Sequence, residues 1–162
     1  MHSDPLMNNI QLKPIGKIKK SGEQFLIELE KKYLPGLKGL EDFSHAQIVW
    51  WGHLSDSVEN RKQLVLGKLF KKGPEQNGVF STRAPMRPNP LLISTIKIQK
   101  IDFEKGIFTP FIDAEPGTPV LDIKPYQPME RVKNVTAPDW CCHWPKWQEE
   151  AAIFNWADEI NF

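Results

Sequence analysis

Hydrophobic and polar residues alternate over several short segments of this chain, which predicts a mainly β protein. Residues 25–30, FLIELE, alternate as in a strand with one buried face, and a helix over the same residues is the alternative. The run at residues 46–54, AQIVWWGHL, is apolar, β-branched and aromatic. This composition predicts a central strand with His53 at its polar end.

Further strands are predicted on both sides of these two. Residues 10–19 are compatible with a strand but contain a proline and a glycine, which favours an edge or bulged strand. Residues 63–70 predict another strand. Residues 91–103 and 106–112 predict a hairpin that closes at residues 104–106, EKG.

The sequence changes character after residue 130, where a tryptophan-rich tail begins. Several of its apolar residues have roughly helical spacing: Trp147, Ala151, Phe154 and Ile160. We therefore predict one domain over residues 1–162, with a β-barrel core at about 10–130 and a short helical tail at 131–162. The tail is expected to pack on the barrel or on a partner. A Rossmann fold is not expected, because alternating strands and helices are missing and no GxGxxG follows a strand.

Charge and length exclude several classes of protein. The 162 residues include 21 basic and 20 acidic ones, so the formal net charge is only +1. No overall field favours DNA or a membrane surface, and any anion site must be local. The longest apolar runs, such as IVWW, have only four residues, and the N-terminus has no apolar core of signal-peptide length. We expect a soluble, cytoplasmic protein.

The only two cysteines, Cys141 and Cys142, are adjacent, which disfavours a disulfide between them and fits a reducing compartment. They lie in WCCHW, which suggests a metal site. A structural zinc site needs four ligands, however, and the remaining histidines form no recognisable second half. We therefore predict no metal and expect the tryptophans to anchor the tail.

The segment at residues 78–94, GVFSTRAPMRPNPLLIS, holds Arg83 and Arg87 in a proline-rich loop. Each proline fixes its own φ and pushes the preceding residue towards an extended conformation. A guanidinium held in this way suits a carboxylate, a phosphate or an aromatic face. The alternative is that both arginines pair with local acids.

The segment at residues 112–128, IDAEPGTPVLDIKPYQP, is a second stiff polar loop. Gly117 permits a positive φ in its turn, and Pro119 fixes the exit from the turn. Asp122 and Lys124 lie on the same side of a strand, where they form either part of a site or a simple surface pair. Two rigid polar loops on one β framework indicate a binding site.

The stretches GVFSTRAPMRPNP and GTPVLDIKPY resemble the signature segments of the TrmO family, also called YaeB-like or VirR-like proteins. With LKGLEDFSHAQIVWWGHL, the resemblance runs from about residue 15 to residue 126. It implies a small β-barrel methyltransferase that forms a homodimer and holds S-adenosylmethionine near the subunit interface. The implied reaction is methylation of the exocyclic N6 amine of threonylcarbamoyl-adenosine, next to the anticodon of tRNA.

Carried over by position, the resemblance also implies site residues. The cofactor contacts are His53, Leu54, Arg83, Ile93, Glu115, Pro116, Gly117 and Thr118. The substrate contacts are Arg87, Asn89 and Lys124, and the catalytic candidates are Asp113, Asp122 and Tyr126. Either aspartate could accept the proton that the amine releases, and an arginine such as Arg83 could hold a carboxylate of the cofactor or the substrate.

The chain departs from the family pattern at several points. The usual RPNPIG is RPNPLL here, with Leu92 in place of a glycine, and the usual DGTP is PGTP, with Pro116 in place of the acid. The arginine-glutamine-proline segment after the first strand is not recognisable, and a tryptophan-rich tail replaces the C-terminal extension. Two alternatives follow: a methyltransferase of a small molecule or another RNA, and a protein that binds S-adenosylmethionine without catalysis.

Overall fold

The structure is a computed structural model that describes residues 10–161. The first nine residues, where the sequence predicts no signal peptide, lie outside the described part. Two compact units divide the chain. The first consists of residues 10–54 and Leu91–Glu130, and the second of residues 55–90 and 131–161.

Strands dominate the structure and helices are short. The strands are β1 (Gly16–Ser21), β2 (Gln24–Leu29), β3 (His45–Trp51), β4 (Val65–Leu66), β5 (Asn77–Gly78), β6 (Leu91–Lys97), β7 (Lys100–Asp102), β8 (Gly106–Thr109) and β9 (Pro119–Pro125). The α-helices are α1 (Val58–Lys62) and α2 (Gln148–Ala151). Among residues 10–161, no helix is long and apolar enough to cross a lipid bilayer. The mainly β class predicted from the alternation is confirmed.

The first unit is built on an antiparallel sheet of seven strands in the order β6-β3-β9-β1-β2-β8-β7. Strands β6 and β7 are its edges and do not pair with each other, so the sheet is not closed by hydrogen bonds. The closed barrel stays a prediction.

The core of this unit lies on one face of the sheet. Its fully buried side chains come from inward positions of six strands: Ile18, Ile27, Ile48, Ile96, Ile107 and Val120. The 3₁₀ helices Lys31–Leu37 and Leu40–Asp42 add buried leucines to this cluster. Burial of each such side chain stabilises the fold by about 1.5–3 kcal/mol.

The predictions for the first strands have mixed outcomes. The strand over residues 25–30 is confirmed as β2, and the run over 46–54 is confirmed as β3, a central strand that ends at Trp51. The edge position predicted for residues 10–19 is wrong, because β1 pairs with both β2 and β9. Its glycine serves close strand pairing instead, since a Cβ at Gly16 would lie 2.0 Å from the Glu28 carbonyl oxygen.

The later strand predictions are confirmed in part. Residues 91–103 divide into β6 and β7, and β7 forms the predicted hairpin with β8 through residues 103–105. The break between β6 and β7 follows from hydrogen bonding, because the Ile98 N–H donates to the Ser44 carbonyl whereas the Gln99 N–H donates to the Phe108 carbonyl. In the segment 63–70, only β4 is a strand, and it pairs with β5.

In the second unit, the tryptophan-rich tail packs around Phe70. The Phe70 ring stacks on Trp140 at 5.0 Å between centroids and meets Trp144 edge-on at 5.1 Å. Phe70 also forms a β-bridge with Ile160. The helical part of the tail is a single turn, α2, together with two 3₁₀ segments. Packing on residues around Phe70 was not predicted from the sequence.

The buried Glu159 carboxylate explains the histidine of WCCHW. One Glu159 oxygen lies 2.8 Å from His143 Nε2 and 3.6 Å from Lys72 Nζ, and the other accepts a hydrogen bond from Trp144 Nε1 at 3.1 Å. His143 thus has a structural partner. Within residues 10–161, no group of three or more His, Cys, Asp or Glu residues is placed to hold a metal ion.

Candidate functional site

Antiparallel pairing brings two sets of predicted cofactor contacts to one end of the sheet in the first unit: the residues after β3 and the turn before β9. The last residue of β3, Trp51, lies opposite the first residue of β6, and Trp50 lies opposite Val120 near the start of β9. His53 and Leu54 follow β3, and the turn at residues 115–118 precedes β9. These two groups therefore share one end of the sheet. His53 is half-buried, whereas Leu54 is 73% exposed.

The turn of Glu115, Pro116, Gly117 and Thr118 is firmly held. The Thr118 N–H donates to the Glu115 carbonyl at 3.1 Å, and Gly117 has φ +92°, as in turns with glycine at the third position. The positive φ predicted for Gly117 is confirmed. Two hydrogen bonds with Ile18 fasten the turn to β1. The Gly117 N–H donates to the Ile18 carbonyl at 2.7 Å, and the Ile18 N–H donates to the Thr118 carbonyl at 3.0 Å. A Cβ at Gly117 would meet no atom within 4 Å, so its outer side is open to a ligand.

Asp113 is oriented by Ser94 and Trp50, which the sequence motifs did not indicate as site residues. The Ser94 hydroxyl on β6 donates to an Asp113 carboxylate oxygen and accepts a hydrogen bond from Trp50 Nε1 at 2.8 Å. Ser94 is buried, and Asp113 is exposed. A polar residue at an inward position of the apolar strand LLISTIK requires a partner, and this signal could have identified Ser94.

Asp122 and Ile93 lie in one row across three strands. Both are opposite Val49 of the central strand β3, Ile93 on β6 and Asp122 on β9. Ile93 is 47% exposed. Asp122 and Ile93 are therefore about 10 Å apart, because neighbouring strands are about 4.8 Å apart.

Asp122 forms the surface pair that the sequence left open as an alternative. Its carboxylate lies 2.9 Å from Lys124 Nζ and also accepts the Ile123 N–H at 2.9 Å. The hydrogen bond from the ammonium to Asp122, followed by their Coulombic attraction, raises the pKa of Lys124. An exposed pair of this kind contributes little to stability.

Tyr126 lies at the far end of β9 from the turn. Its N–H donates to the His45 carbonyl at the start of β3, at 3.0 Å. The seven residues of Pro119–Pro125 separate it from Thr118, a span of about 25 Å for an extended strand. The sheet does not bring Tyr126 to the turn of the same chain.

In the second unit, the proline-rich loop that contains Arg83 and Arg87, here called the arginine-rich loop, is braced by Arg87 itself. Arg87 is half-buried, and its Nη1 donates to the Thr82 and Ala84 carbonyls at 3.1 Å each. The Thr82 hydroxyl donates to the Val79 carbonyl at 2.9 Å and accepts the Ala84 N–H at 3.2 Å. Arg83 and Asn89 are exposed. The carbonyl partners of Arg87 were not predicted, because local acids were the expected alternative.

Comparison with protein families shows a match over most of the chain. The model of the tRNA-methyltransferase O N-terminal domain matches residues 8–130. This range includes the arginine-rich loop, the turn at residues 115–118 and all seven strands of the large sheet.

Individual relatives agree with the family match. A probable S-adenosyl-L-methionine-binding protein of Methanocaldococcus jannaschii is 39% identical over 116 residues, which are 70% of this chain and 89% of that protein. A tRNA (adenine(37)-N6)-methyltransferase of Eikenella corrodens is 43% identical over 91 residues, or 55% of this chain and 49% of the relative. The crystal structure of TrmO from Pseudomonas aeruginosa superposes with a TM-score of 0.61 at 25% identity, covering 79% of this chain and 61% of that one. The chain thus spans about half to three fifths of these two larger proteins.

Proposed function

Because the chain belongs to the tRNA-methyltransferase O N-terminal domain family, we propose that it is an S-adenosylmethionine-dependent methyltransferase of tRNA. The acceptor is the exocyclic N6 amine of threonylcarbamoyl-adenosine near the anticodon. The observation that carries this proposal is the match over residues 8–130 to a domain of this methyltransferase family. One relative is named for S-adenosylmethionine binding, which supports the proposed cofactor, and another is named as an adenine-N6 methyltransferase, which supports the proposed reaction.

S-adenosylmethionine supplies an electrophilic methyl group when it is bound. The proposed contacts are His53, Leu54, Arg83, Ile93, Glu115, Pro116, Gly117 and Thr118. Three features of the chain fit such a ligand: a fastened turn with an open glycine, exposed apolar side chains at Leu54 and Ile93, and a guanidinium at Arg83. Arg83 can hold a carboxylate through paired hydrogen bonds.

Methyl transfer requires alignment of the amine and removal of its proton. Asp113 is the better oriented candidate for the proton acceptor, because Ser94 and Trp50 fix its position. Asp122 is the second candidate, and its carboxylate forms an ion pair with Lys124. A carboxylate in this role accelerates the reaction by about a hundred- to ten-thousandfold.

The remaining predicted residues are assigned to the acceptor side. Asn89 and Lys124 are exposed and can contact a polar substrate, whereas Arg87 holds the loop that presents Asn89. Tyr126 lies a strand length from the turn. An extended substrate such as tRNA is long enough to reach both Tyr126 and the turn at residues 115–118 of one chain.

The family resemblance is also the basis of a proposal for the working form of the protein. We propose one functional domain that acts as a cytoplasmic homodimer, with its sheet closing into a barrel. Leu91 and Ile93 on the edge strand β6 support a subunit contact, because both apolar side chains are more than 40% exposed.

A second candidate is a protein that binds S-adenosylmethionine without transferring its methyl group. It is favoured by the Methanocaldococcus relative, which is named only for cofactor binding and is covered over 89% of its length. A methyltransferase of a small molecule or another RNA is the related alternative.

One experiment separates these candidates. Purified protein is titrated with S-adenosylmethionine by calorimetry and then incubated with methyl-labelled cofactor and either total tRNA or a small-molecule extract. The proposal predicts cofactor binding and label in tRNA. Cofactor binding with no label in any fraction would favour the non-catalytic alternative, and no cofactor binding would refute both.

A further inference from the structure

Two concave surfaces of the first unit meet at Lys38. One is a groove of about 890 Å3, lined by Lys31, Lys38 and Lys105 together with Phe103 and Glu104. The other is a cavity of about 570 Å3 that shares Lys38. Both volumes are typical of ligand-binding sites.

The groove is locally basic although the chain is almost neutral. Three lysines and a single acid, Glu104, line it, whereas the formal net charge of the whole chain is +1. Lys31, Lys38 and Lys105 are exposed and form no salt bridge within residues 10–161. Three unpaired ammonium groups along one groove favour a ligand with several negative charges in a row.

Phe103 lies at the tip of the β7–β8 hairpin, lines the same groove and is 52% exposed. The backbone of the tip is firmly held. The Glu104 N–H donates to Asp102 Oδ1 at 2.9 Å, the Lys105 N–H donates to the Asp102 carbonyl at 3.1 Å, and the Lys105 carbonyl accepts the Leu29 N–H at 2.9 Å. An exposed aromatic side chain on a firmly held backbone beside a basic groove provides a surface on which an unpaired base can stack.

The adjoining cavity opens where β1 and β9 separate. The two strands pair only at Gly16 and Lys17 of β1, and beyond this point β9 lines a cavity with the segment that contains Tyr33 and Phe43. Two half-buried aromatic residues suit a flat ring. Asp122, a candidate proton acceptor, also lines this cavity.

We propose that these two surfaces form the binding site for single-stranded RNA. Lys31, Lys38 and Lys105 contact successive phosphates, Phe103 stacks on an unpaired base, and the cavity with Tyr33 and Phe43 receives the neighbouring base beside Asp122. This inference rests on the proposed function, because it assigns a binding surface to the RNA that carries the methyl acceptor.

The test compares two triple variants of equal charge. Lys31→Glu, Lys38→Glu and Lys105→Glu are combined in the site variant. Lys13→Glu, Lys62→Glu and Lys133→Glu are combined in the control variant, because these lysines are exposed and line neither surface. Each substitution changes the charge by two, so both variants go from +1 to −5. Circular dichroism verifies that both are folded.

Binding of a fluorescein-labelled oligouridine of about ten nucleotides is measured by anisotropy at increasing salt. We expect the site variant to bind at least tenfold more weakly than the control variant. The slope of log affinity against log salt concentration should be shallower by about two for the site variant. Each of the three lost phosphate contacts accounts for about 0.7 of this slope. Phe103→Ala should weaken binding at least about fivefold with an unchanged slope.

Two results would overturn the site: equal loss of affinity in both triple variants, or oligouridine binding by the wild type that is no tighter than that of the site variant. Calorimetry with S-adenosylmethionine keeps this failure separate from that of the proposed function. If the wild type binds the cofactor but either result is obtained, the proposed cofactor stands and this RNA site is refuted. A wild type that does not bind the cofactor loses the proposed function itself.

Discussion

At the scale of single residues, the Asp113 carboxylate is the most informative group. It is exposed, yet the buried Ser94 hydroxyl fixes its direction, and Trp50 in turn fixes that hydroxyl. A surface aspartate without a role has no need of a buried serine that is itself held by the indole N–H of a half-buried tryptophan. Ser94 is therefore expected to be a positioning residue for a proton acceptor.

Asp113→Asn should lower the methylation rate by about a hundred- to ten-thousandfold, because the amide cannot accept the proton of the amine. Rates are measured with labelled cofactor at saturation, and Asp122→Asn serves as the matched comparison. The affinity for S-adenosylmethionine should change little in either variant. Near-normal rates in both would show that neither aspartate acts as the base.

Arg83→Ala should weaken S-adenosylmethionine binding by about tenfold to a hundredfold, as expected for the loss of a charge-assisted hydrogen bond of about 1.5–3 kcal/mol. Calorimetry measures the effect directly. Arg61→Ala is the control, because Arg61 is an exposed arginine in the same unit that pairs with Asp56. An unchanged affinity in Arg83→Ala would remove this residue from the cofactor site.

At the scale of elements, the structure shows which parts of the fold local pattern can predict. Alternation identified β2, and the apolar, β-branched and aromatic composition of residues 46–54 identified β3. The position of β1 was missed because a glycine that permits close strand pairing looks the same in sequence as one that marks an edge or bulged strand. The break between β6 and β7 depends on hydrogen bonds to distant segments, which no local pattern records.

The turn at residues 115–118 yields a prediction for Gly117. Gly117→Ala should reduce the free energy of unfolding by about 1–2 kcal/mol, because a side chain is disfavoured at its φ of +92°. Gly36→Ala is the control, since it also projects into open space but has no positive φ. Urea unfolding of both variants measures the difference. Equal stabilities would show that the turn accommodates alanine without strain.

The tail yields a prediction about pH. Hydrogen bonds to Glu159, first from His143 and then from Trp144, lower the pKa of this carboxyl below its usual 4.5, and the charge of Lys72 adds to the effect. Because the folded pKa is the lower one, the contribution of Glu159 is present above about pH 4.5 and is lost as the pH falls through the folded pKa.

Glu159→Gln should therefore remove part of the acid sensitivity of the tail. Urea unfolding followed by tryptophan fluorescence at neutral pH and at about pH 4 measures it, because Trp144 and Trp156 lie in the cluster. The exposed Glu149 provides the control Glu149→Gln. An identical loss of stability in acid for the wild type and Glu159→Gln would contradict this role of the carboxylate.

At the scale of the whole molecule, the family was predictable from the sequence and is confirmed by the domain match over residues 8–130. The details of the site were less predictable. The motifs identified Gly117 and the arginine-rich loop because turn chemistry is local. They did not show that Arg87 bonds to its own loop, or that Tyr126 and the turn lie at opposite ends of β9. Both facts depend on how the folded chain is arranged.

The central claim is methyl transfer to a modified adenosine of tRNA, and nucleoside analysis tests it most directly. The purified protein is incubated with labelled S-adenosylmethionine and two tRNA preparations, one that carries threonylcarbamoyl-adenosine and one that lacks it. We predict label in the N6-methylated form of threonylcarbamoyl-adenosine from the first preparation and none from the second. No label in either preparation, or equal label in unmodified adenosine of both, would contradict the claim.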